Sequence, residues 1–303
     1  MNNSLLSLIQ TALKGAAMGA ANVIPGVSGG TIALITGIFE RLINAIKSFN
    51  GKAIQLLVKG EIKALIRHID LYFLLALFTG IGVAIISLAR LFEYLFINYP
   101  IYIWAYFFGL VMASIYFVGK TVKSWTTSTI ISLIVGTAIA VSISVLTPAS
   151  QNDSFLYLIL CGVVAICSMI LPGLSGSFVL ILMGNYQLVM IDAVNNMAIE
   201  ILLPVALGAG VGLIAFSHFL SWLLKKYHNQ TIALLTGFIA GSLGILWPWK
   251  HEITQQFGDK VKTVDFNYYL PELNTEFYFA VLFIILGLAS IIITELLATK
   301  KQK

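Results

Sequence analysis

Two apolar stretches of the chain are interrupted by the same helix-breaking run. The first is NVIPGVSGGTIALITG, Asn22 to Gly37, and the second is SMILPGLSGSFVLILMG, Ser168 to Gly184. Proline removes a backbone donor and glycine weakens a helix interior, so each run ends one helix and starts another. The surroundings make such a break costly. Of 303 residues, 59% are hydrophobic and 10% charged, and mean hydropathy is +0.94, whereas a soluble domain carries about 25% charged residues. A single core cannot hide that much apolar surface, so the chain reads as an integral membrane protein. Apolar spans joined by short loops point to helices rather than a barrel. The N-terminus lacks the basic, apolar and small-residue order of a signal peptide and is read as mature sequence. Cys161 and Cys167 lie six residues apart in one apolar helix, a spacing that fits neither a disulfide framework nor a zinc site.

The two runs belong to a longer repeat. Pro25 and Pro172 are 147 residues apart. Gly37 matches Gly184, and Phe39 matches Tyr186. TGIGVAIIS (Thr79 to Ser87) resembles AGVGLIAFS (Ala209 to Ser217), FGLVMASI (Phe108 to Ile115) resembles TGFIAGSL (Thr236 to Leu243), and the helix around Gly136 matches the one around Gly287. The expected fold is an all-α integral membrane protein of two repeats, 1–148 and 149–303. Each repeat carries a re-entrant broken helix and three transmembrane helices. The spans are expected at 70–97, 100–119 and 127–147, then at 200–224, 231–247 and 277–298.

Three spans per repeat invert the second copy relative to the first. Lysine and arginine gather on the cytoplasmic side of membrane proteins, which tests the arrangement. With re-entrant segments and cytoplasmic termini, 13 basic residues fall inside and 3 outside, with Lys14 and Arg90 at membrane depth. If both broken segments crossed, the best split would be 11 against 5. The net charge of +5 therefore reflects topology, and no nucleic-acid partner is implied. Inverted repeats whose broken helices meet near mid-membrane are a transporter design. Irregular backbone at that depth must be surrounded by protein or line a water-filled cavity.

The helix that restarts after each break begins with amide N–H groups lacking intrahelical partners. Two such ends facing one cavity make a positive site without a charged side chain. Ser28, Thr31, Ser175 and Ser177 add hydroxyls near the caps. Gly26, Gly29, Gly30, Gly173 and Gly176 let a ligand approach the backbone. The plainer reading is that Pro25, Pro172 and these glycines only form tight packing turns. Lys14 either approaches an anionic head group or snorkels to the surface. Arg90 and Glu93 lie on one helix face and either pair or contact substrate. Glu40 and Arg41 close the returning helix at the cytoplasmic mouth. His218 is read as a packed histidine, and Asp192 and Glu200 as solvated. In GKAIQLLVKGEIKALIRHID, Lys59, Lys63 and Arg67 recur every four residues. The segment is expected to lie on the cytoplasmic surface against anionic lipid. The polar loop from Lys250 to Glu276 is expected to shield the outer entrance.

On the stretch KGAAMGAANVIPGVSGGTIALITGIFERLI, Lys14 to Ile43, and the degenerate copy at Pro172, the chain resembles the prokaryotic polyprenyl-phosphate transporter family. The resemblance covers nearly the whole chain. It implies return of undecaprenyl phosphate, the lipid carrier of cell-wall synthesis, to the cytoplasmic leaflet of the plasma membrane. By position it implicates Pro25, Gly26, Ser28, Gly29, Gly30 and Thr31, with Glu40 and Arg41 after them. At Asn22 the chain departs from the family, where an acidic residue is common, so no proton role is implied there. Undecaprenyl-diphosphate phosphatases share re-entrant helices and a similar loop, but Gly29 and Gly176 stand where their arginine would be. Phosphoryl cleavage needs charge neutralisation and an activated nucleophile, so the expectation is binding without chemistry. An ion-coupled transporter of a small soluble anion is the third reading. No cofactor is expected; coupling to protons or sodium, and a homodimer, are left open.

Overall fold

In the computed structural model the described residues are 5–23, 28–144, 146, 149–258 and 260–300; within them, the side chains of 23, 89, 90, 93, 260, 262 and 294–300 are not described. The chain is mostly helical. In order it forms α1 (Leu5–Val23), α2 (Gly29–Ile35), α3 (Phe39–Lys47), α4 (Gly51–Val58), α5 (Ile62–His68), α6 (Leu71–Asn98), α7 (Pro100–Lys120) and α8 (Thr127–Ser144). Then come α9 (Phe155–Ile170), α10 (Gly176–Leu182), a π-helical turn (Leu188–Asp192), α11 (Ala193–Asn195), α12 (Ile199–Lys226) and α13 (His228–Gly241). A hairpin of β1 (Lys250–Phe257) and β2 (Lys260–Tyr268) precedes α14 (Thr275–Lys300).

Five of these helices, α6, α7, α8, α12 and α14, are long and apolar enough to cross a membrane among the described residues. A sixth span arises if α2 and α3, bent by 116° at Thr36–Ile38, are taken together. Large apolar side chains such as Ile86 and Val211 stand exposed on the long helices, as lipid-facing surfaces require. The span expected at 231–247 is corrected. There α13 stops at Gly241 after 14 residues, about 21 Å at 1.5 Å per residue, short of the roughly 30 Å hydrocarbon core. Gly244 and Pro248 follow in a run of turns, and neither residue type sustains a helix.

The chain divides into two compact units that do not follow the halves 1–148 and 149–303. One unit takes residues 1–90 and 147–228, the other 91–146 and 229–303. Each is built on helix pairs pressed together at glycines. In the first unit, a Cβ on Gly15 of α1 would strike the Leu77 carbonyl of α6, and one on Gly80 would strike Ala12. The same contacts recur between α9 and α12, where Gly162 meets Val205 and Gly208 meets Ile159. In the second unit Gly109 of α7 meets Ile284 of α14, while Gly287 meets Tyr106. The matching pair is α13 on α8, where Gly237 meets Leu133 and Gly136 meets Leu234. Small residues let backbones approach where lipid provides no hydrophobic drive between helices.

These contacts correct one register. Sequence similarity aligned Thr79 with Ala209 and hence Gly80 with Gly210. By packing, the partner of Gly80 is Gly208, two residues earlier, because Gly210 faces open space. The amphipathic segment is also corrected. It is two short helices broken at Gly60 (φ +71), so Lys59 caps α4 while Lys63 and Arg67 lie on α5. The polar loop after α13 contains an antiparallel hairpin running from the Lys250–Tyr268 pair to Phe257–Lys260, irregular at Ile253/Thr254. An otherwise all-α expectation therefore gains one small sheet.

At the hairpin base, Lys250 is 8% exposed. Its Nζ lies 3.5 Å from the Trp104 ring centroid and 4.3 Å from that of Phe266, and it donates to the Ile245 carbonyl. Burial pushes the Lys250 ammonium down to about 7, with Glu252 opposing the shift.

Two outcomes are expected. Gly208→Val places a methine where the Ile159 carbonyl already sits and should abolish the monodisperse peak in detergent size-exclusion. Gly210→Val, two residues away on the open side, should be recovered at wild-type yield. For Lys250, the folded chain sheds a proton near pH 7 that the unfolded chain keeps until about 10.5. Stability therefore rises with pH across that window. Amide-exchange protection in β1 and β2, corrected for intrinsic rates, should increase from pH 7 to pH 9, and Lys250→Met should remove the slope.

Candidate functional site

Both broken segments lie in the first unit, and they are built alike. Ser28 and Ser175 are extended N-caps, at φ −108°, ψ 137° and φ −114°, ψ 123°, of the seven-residue helices α2 and α10. Serine suits this place because its hydroxyl satisfies an early amide. Gly37 (φ +69) and Gly184 (φ +71) follow the two helices in the left-handed conformation, the usual helix stop. The C-cap carbonyls also correspond. Lys14 Nζ donates to the Thr36 oxygen at 2.7 Å, and Tyr157 Oη donates to the Met183 oxygen at 2.9 Å.

The two breaks touch. Ser28 Oγ donates to the Leu171 carbonyl at 3.4 Å. A Cβ on Gly30 would lie 2.8 Å from the Ile170 oxygen and 3.4 Å from the Pro172 nitrogen. Segments some 140 residues apart in sequence therefore meet, Ser28 through its hydroxyl and Gly30 through its close approach, and only glycine fits at position 30. Pro172 and Gly173 are buried, and Gly173 carries a φ of +82°. Gly29 and Gly176 have no such φ. They are small because Asn22 presses on the first, and Ala165 and Met169 on the second. Their glycine requirement is thus one of close approach rather than of turn conformation.

The donors divide unequally. At α2 the Gly29 amide donates to Asn22 Oδ1 at 2.8 Å, the Gly30 amide to Ser28 Oγ at 3.1 Å, and the Thr31 amide to the Ser28 oxygen at 2.9 Å. Ser28 and Thr31 are both buried. At α10 the Phe178 amide reaches Ser175 Oγ at a long 3.5 Å. The Gly176 and Ser177 amides have no hydrogen-bond partner among the described residues. The Ser175 and Ser177 hydroxyls are 3.0 Å apart, half-buried and exposed respectively. The second break is therefore the more open donor surface, and the first is capped by its own side chains.

A family model described as undecaprenyl phosphate translocase-like matches residues 18–264. This chain belongs to the undecaprenyl phosphate translocase-like family. It is similar to a polyprenyl-phosphate transporter of Vibrio cholerae serotype O1, at 41% identity over 254 residues, covering 84% of this chain and 82% of the relative. It is also similar to a polyprenyl-phosphate transporter of Staphylococcus aureus, at 30% identity over 264 residues, covering 78% and 85%. No solved structure matches.

In this member of the translocase-like family, Lys14, Glu40 and Arg41 bond to groups other than the two N-caps. Lys14 holds the end of α2 opposite Ser28. Arg41 forms a two-pronged pair with Asp70, Nε to Oδ2 at 2.7 Å and Nη2 to Oδ1 at 3.1 Å. Its guanidinium also lies 4.2 Å from the Phe73 ring centroid, so it ties α3 to the start of α6. Glu40 Oε1 is 3.0 Å from His228 Nε2. His218 Nδ1 is 2.9 Å from the Ile214 carbonyl oxygen. Pro25 and Gly26 lie outside the described residues, as do the side chains of Arg90 and Glu93.

Sequence reasoning missed Asn22 as the Gly29 acceptor, Tyr157 as the counterpart of Lys14, and the Ile170 and Leu171 carbonyls. Asn22 sits within the motif and was readable as a local side-chain acceptor. Tyr157 falls opposite Gln10 in the repeat and carried no signal. The Arg41 geometry predicts a clamp: Arg41→Ala and Asp70→Ala should reduce lipid-phosphate binding to the same small extent, and the double variant should add nothing. A far larger loss for Arg41→Ala alone would assign the guanidinium to the ligand.

Proposed function

We propose that the chain is a polyprenyl-phosphate transporter that moves undecaprenyl phosphate between leaflets of a prokaryotic plasma membrane, for reuse in cell-envelope synthesis. Family membership and two relatives named polyprenyl-phosphate transporters support this reading. One geometric observation carries the mechanism: the two helix breaks meet at Ser28, Gly30, Ile170 and Leu171. Moving a phosphate through hydrocarbon is prohibitive unless its water is replaced by donors. The head group engages the open amides of Gly176 and Ser177 with the hydroxyls of Ser175 and Ser177. Pro172 and Gly173 shape that turn. On the other side, Asn22 and Ser28 release the Gly29 and Gly30 amides beside Thr31; Pro25 and Gly26, outside the described residues, join the proposal through the sequence motif alone. Lys14, Glu40, Arg41 and Arg90 act from its periphery. The prenyl tail stays in lipid.

In this reading the repeats are inverted, the broken segments are re-entrant, and both termini are cytoplasmic, in keeping with the 13-to-3 charge split. Proton or sodium coupling and a homodimer belong to the same proposal. Phosphate is carried and not cleaved, because Gly29 and Gly176 supply no cation to a transferring group.

The test is a leaflet-resolved assay in proteoliposomes with a defined polyprenyl phosphate. Ser175→Ala removes one hydrogen bond to a charged group, about 1.5–3 kcal/mol, or roughly 10- to 100-fold in binding. Gly30→Ala wedges the two breaks apart and should stop transport in protein that still folds. Transport unchanged by both variants sinks the two-break site. Release of inorganic phosphate from undecaprenyl diphosphate, above a heat-inactivated control, would replace transport with hydrolysis.

A further inference from the structure

The elbow formed by α4 and α5 leaves an apolar corner uncovered. Ile54, Leu57 and Val58 recur at the spacing that puts them on one side of α4, and they are 64%, 57% and 81% exposed. Ile62, the first residue of α5, is 50% exposed. Four large aliphatic side chains left exposed at one corner would be costly in water, a cost that burial would remove.

The elbow is braced so that this corner is its far point. Asn50 Oδ1 accepts from the Lys52 and Ala53 amides at 3.0 and 3.3 Å and meets His68 Nε2 at 3.3 Å. Residue 50 is thereby joined to residue 68 at the base. The reversal is made by Lys59, Gly60 and Glu61, with Gly60 in the left-handed conformation, which glycine adopts without penalty. Three residues after His68, α6 begins, and its first 18 residues are long and apolar enough to span a bilayer. The elbow therefore lies beside a membrane entry point. Its charge is one-sided: Lys52, Lys59, Lys63 and Arg67 against Glu61. Lys63 and Arg67, four apart, share the exposed side of α5.

We infer that this corner is an interfacial anchor, seated at the boundary of headgroups and acyl chains in a leaflet rich in anionic phospholipid. The aliphatic residues enter the boundary, and the long basic side chains reach phosphate groups around it, the arrangement by which surface helices bind lipid. The choice of lipid over a second copy of the chain rests on the basic surround and on the adjoining span. This anchor would hold α4 and α5 in place whatever the transported molecule is, so it stands or falls separately from the transport reading.

The experiment uses the full chain with Cys161→Ala, Cys167→Ala and Val58→Cys, labelled with an environment-sensitive fluorophore. It is reconstituted at one copy per vesicle in phosphatidylcholine alone or mixed with phosphatidylglycerol. A quencher attached high on the acyl chain should quench the label more strongly than aqueous iodide, and the difference should grow with phosphatidylglycerol. Replacing Lys52, Lys59, Lys63 and Arg67 by glutamine should remove the dependence on anionic lipid. If Val58→Cys does not fold, Leu57→Cys carries the same label. Iodide quenching equal to that of free dye overturns the proposal. So does shielding that appears only at several copies per vesicle, which would make the corner a contact between chains.

Discussion

A helix broken within a bilayer leaves backbone amides and carbonyls that hydrocarbon cannot solvate, and the structure is arranged around satisfying them. The long helix before each break does much of this work. In the first copy, α1 supplies Asn22 to the Gly29 amide and Lys14 to the Thr36 carbonyl. In the second, α9 supplies Tyr157 to the Met183 carbonyl. The short helices are only seven residues long and would not persist alone. α2 is held at both ends, and α10 chiefly at its C-terminal end.

That holding depends on how closely the long helices approach their neighbours. Gly15, Gly80, Gly162 and Gly208 let α1 and α9 press on α6 and α12 within the first unit. The second unit repeats the device with Gly109, Gly136, Gly237 and Gly287. Since lipid is as apolar as the helices, dispersion contacts at these small residues carry the association.

The equivalence of the copies ends at their donors. Three early amides of α2 are taken by Asn22 and Ser28, whereas those of Gly176 and Ser177 have no hydrogen-bond partner among the described residues. The first break ties the Gly29 and Gly30 amides to side chains at 2.8 and 3.1 Å, whereas among the described residues the second ties only the Phe178 amide, at 3.5 Å.

Much of this was readable from residue order. The apolar spans, the paired breaks, their serine caps and the glycine stops at 37 and 184 all follow from local rules of periodicity, capping and backbone conformation. The likeness of the two breaks was readable too, although aligning Gly80 with Gly210 misses by two residues the glycine that packs as Gly80 does. TGIG and AGVG match as strings, while the face that packs is set by a partner helix the string does not contain. The β-hairpin escaped notice because β1 is mostly polar, although β2 alternates Val264, Phe266 and Tyr268 with Asp265 and Asn267. Tertiary structure alone decided that the units take one piece from each repeat, that Arg41 is bound to Asp70, and that Ser28 and Gly30 meet Leu171 and Ile170. Those contacts join residues 29 to 143 positions apart, and at Ile170 and Leu171 the partner is a backbone carbonyl, which every residue carries and no sequence distinguishes.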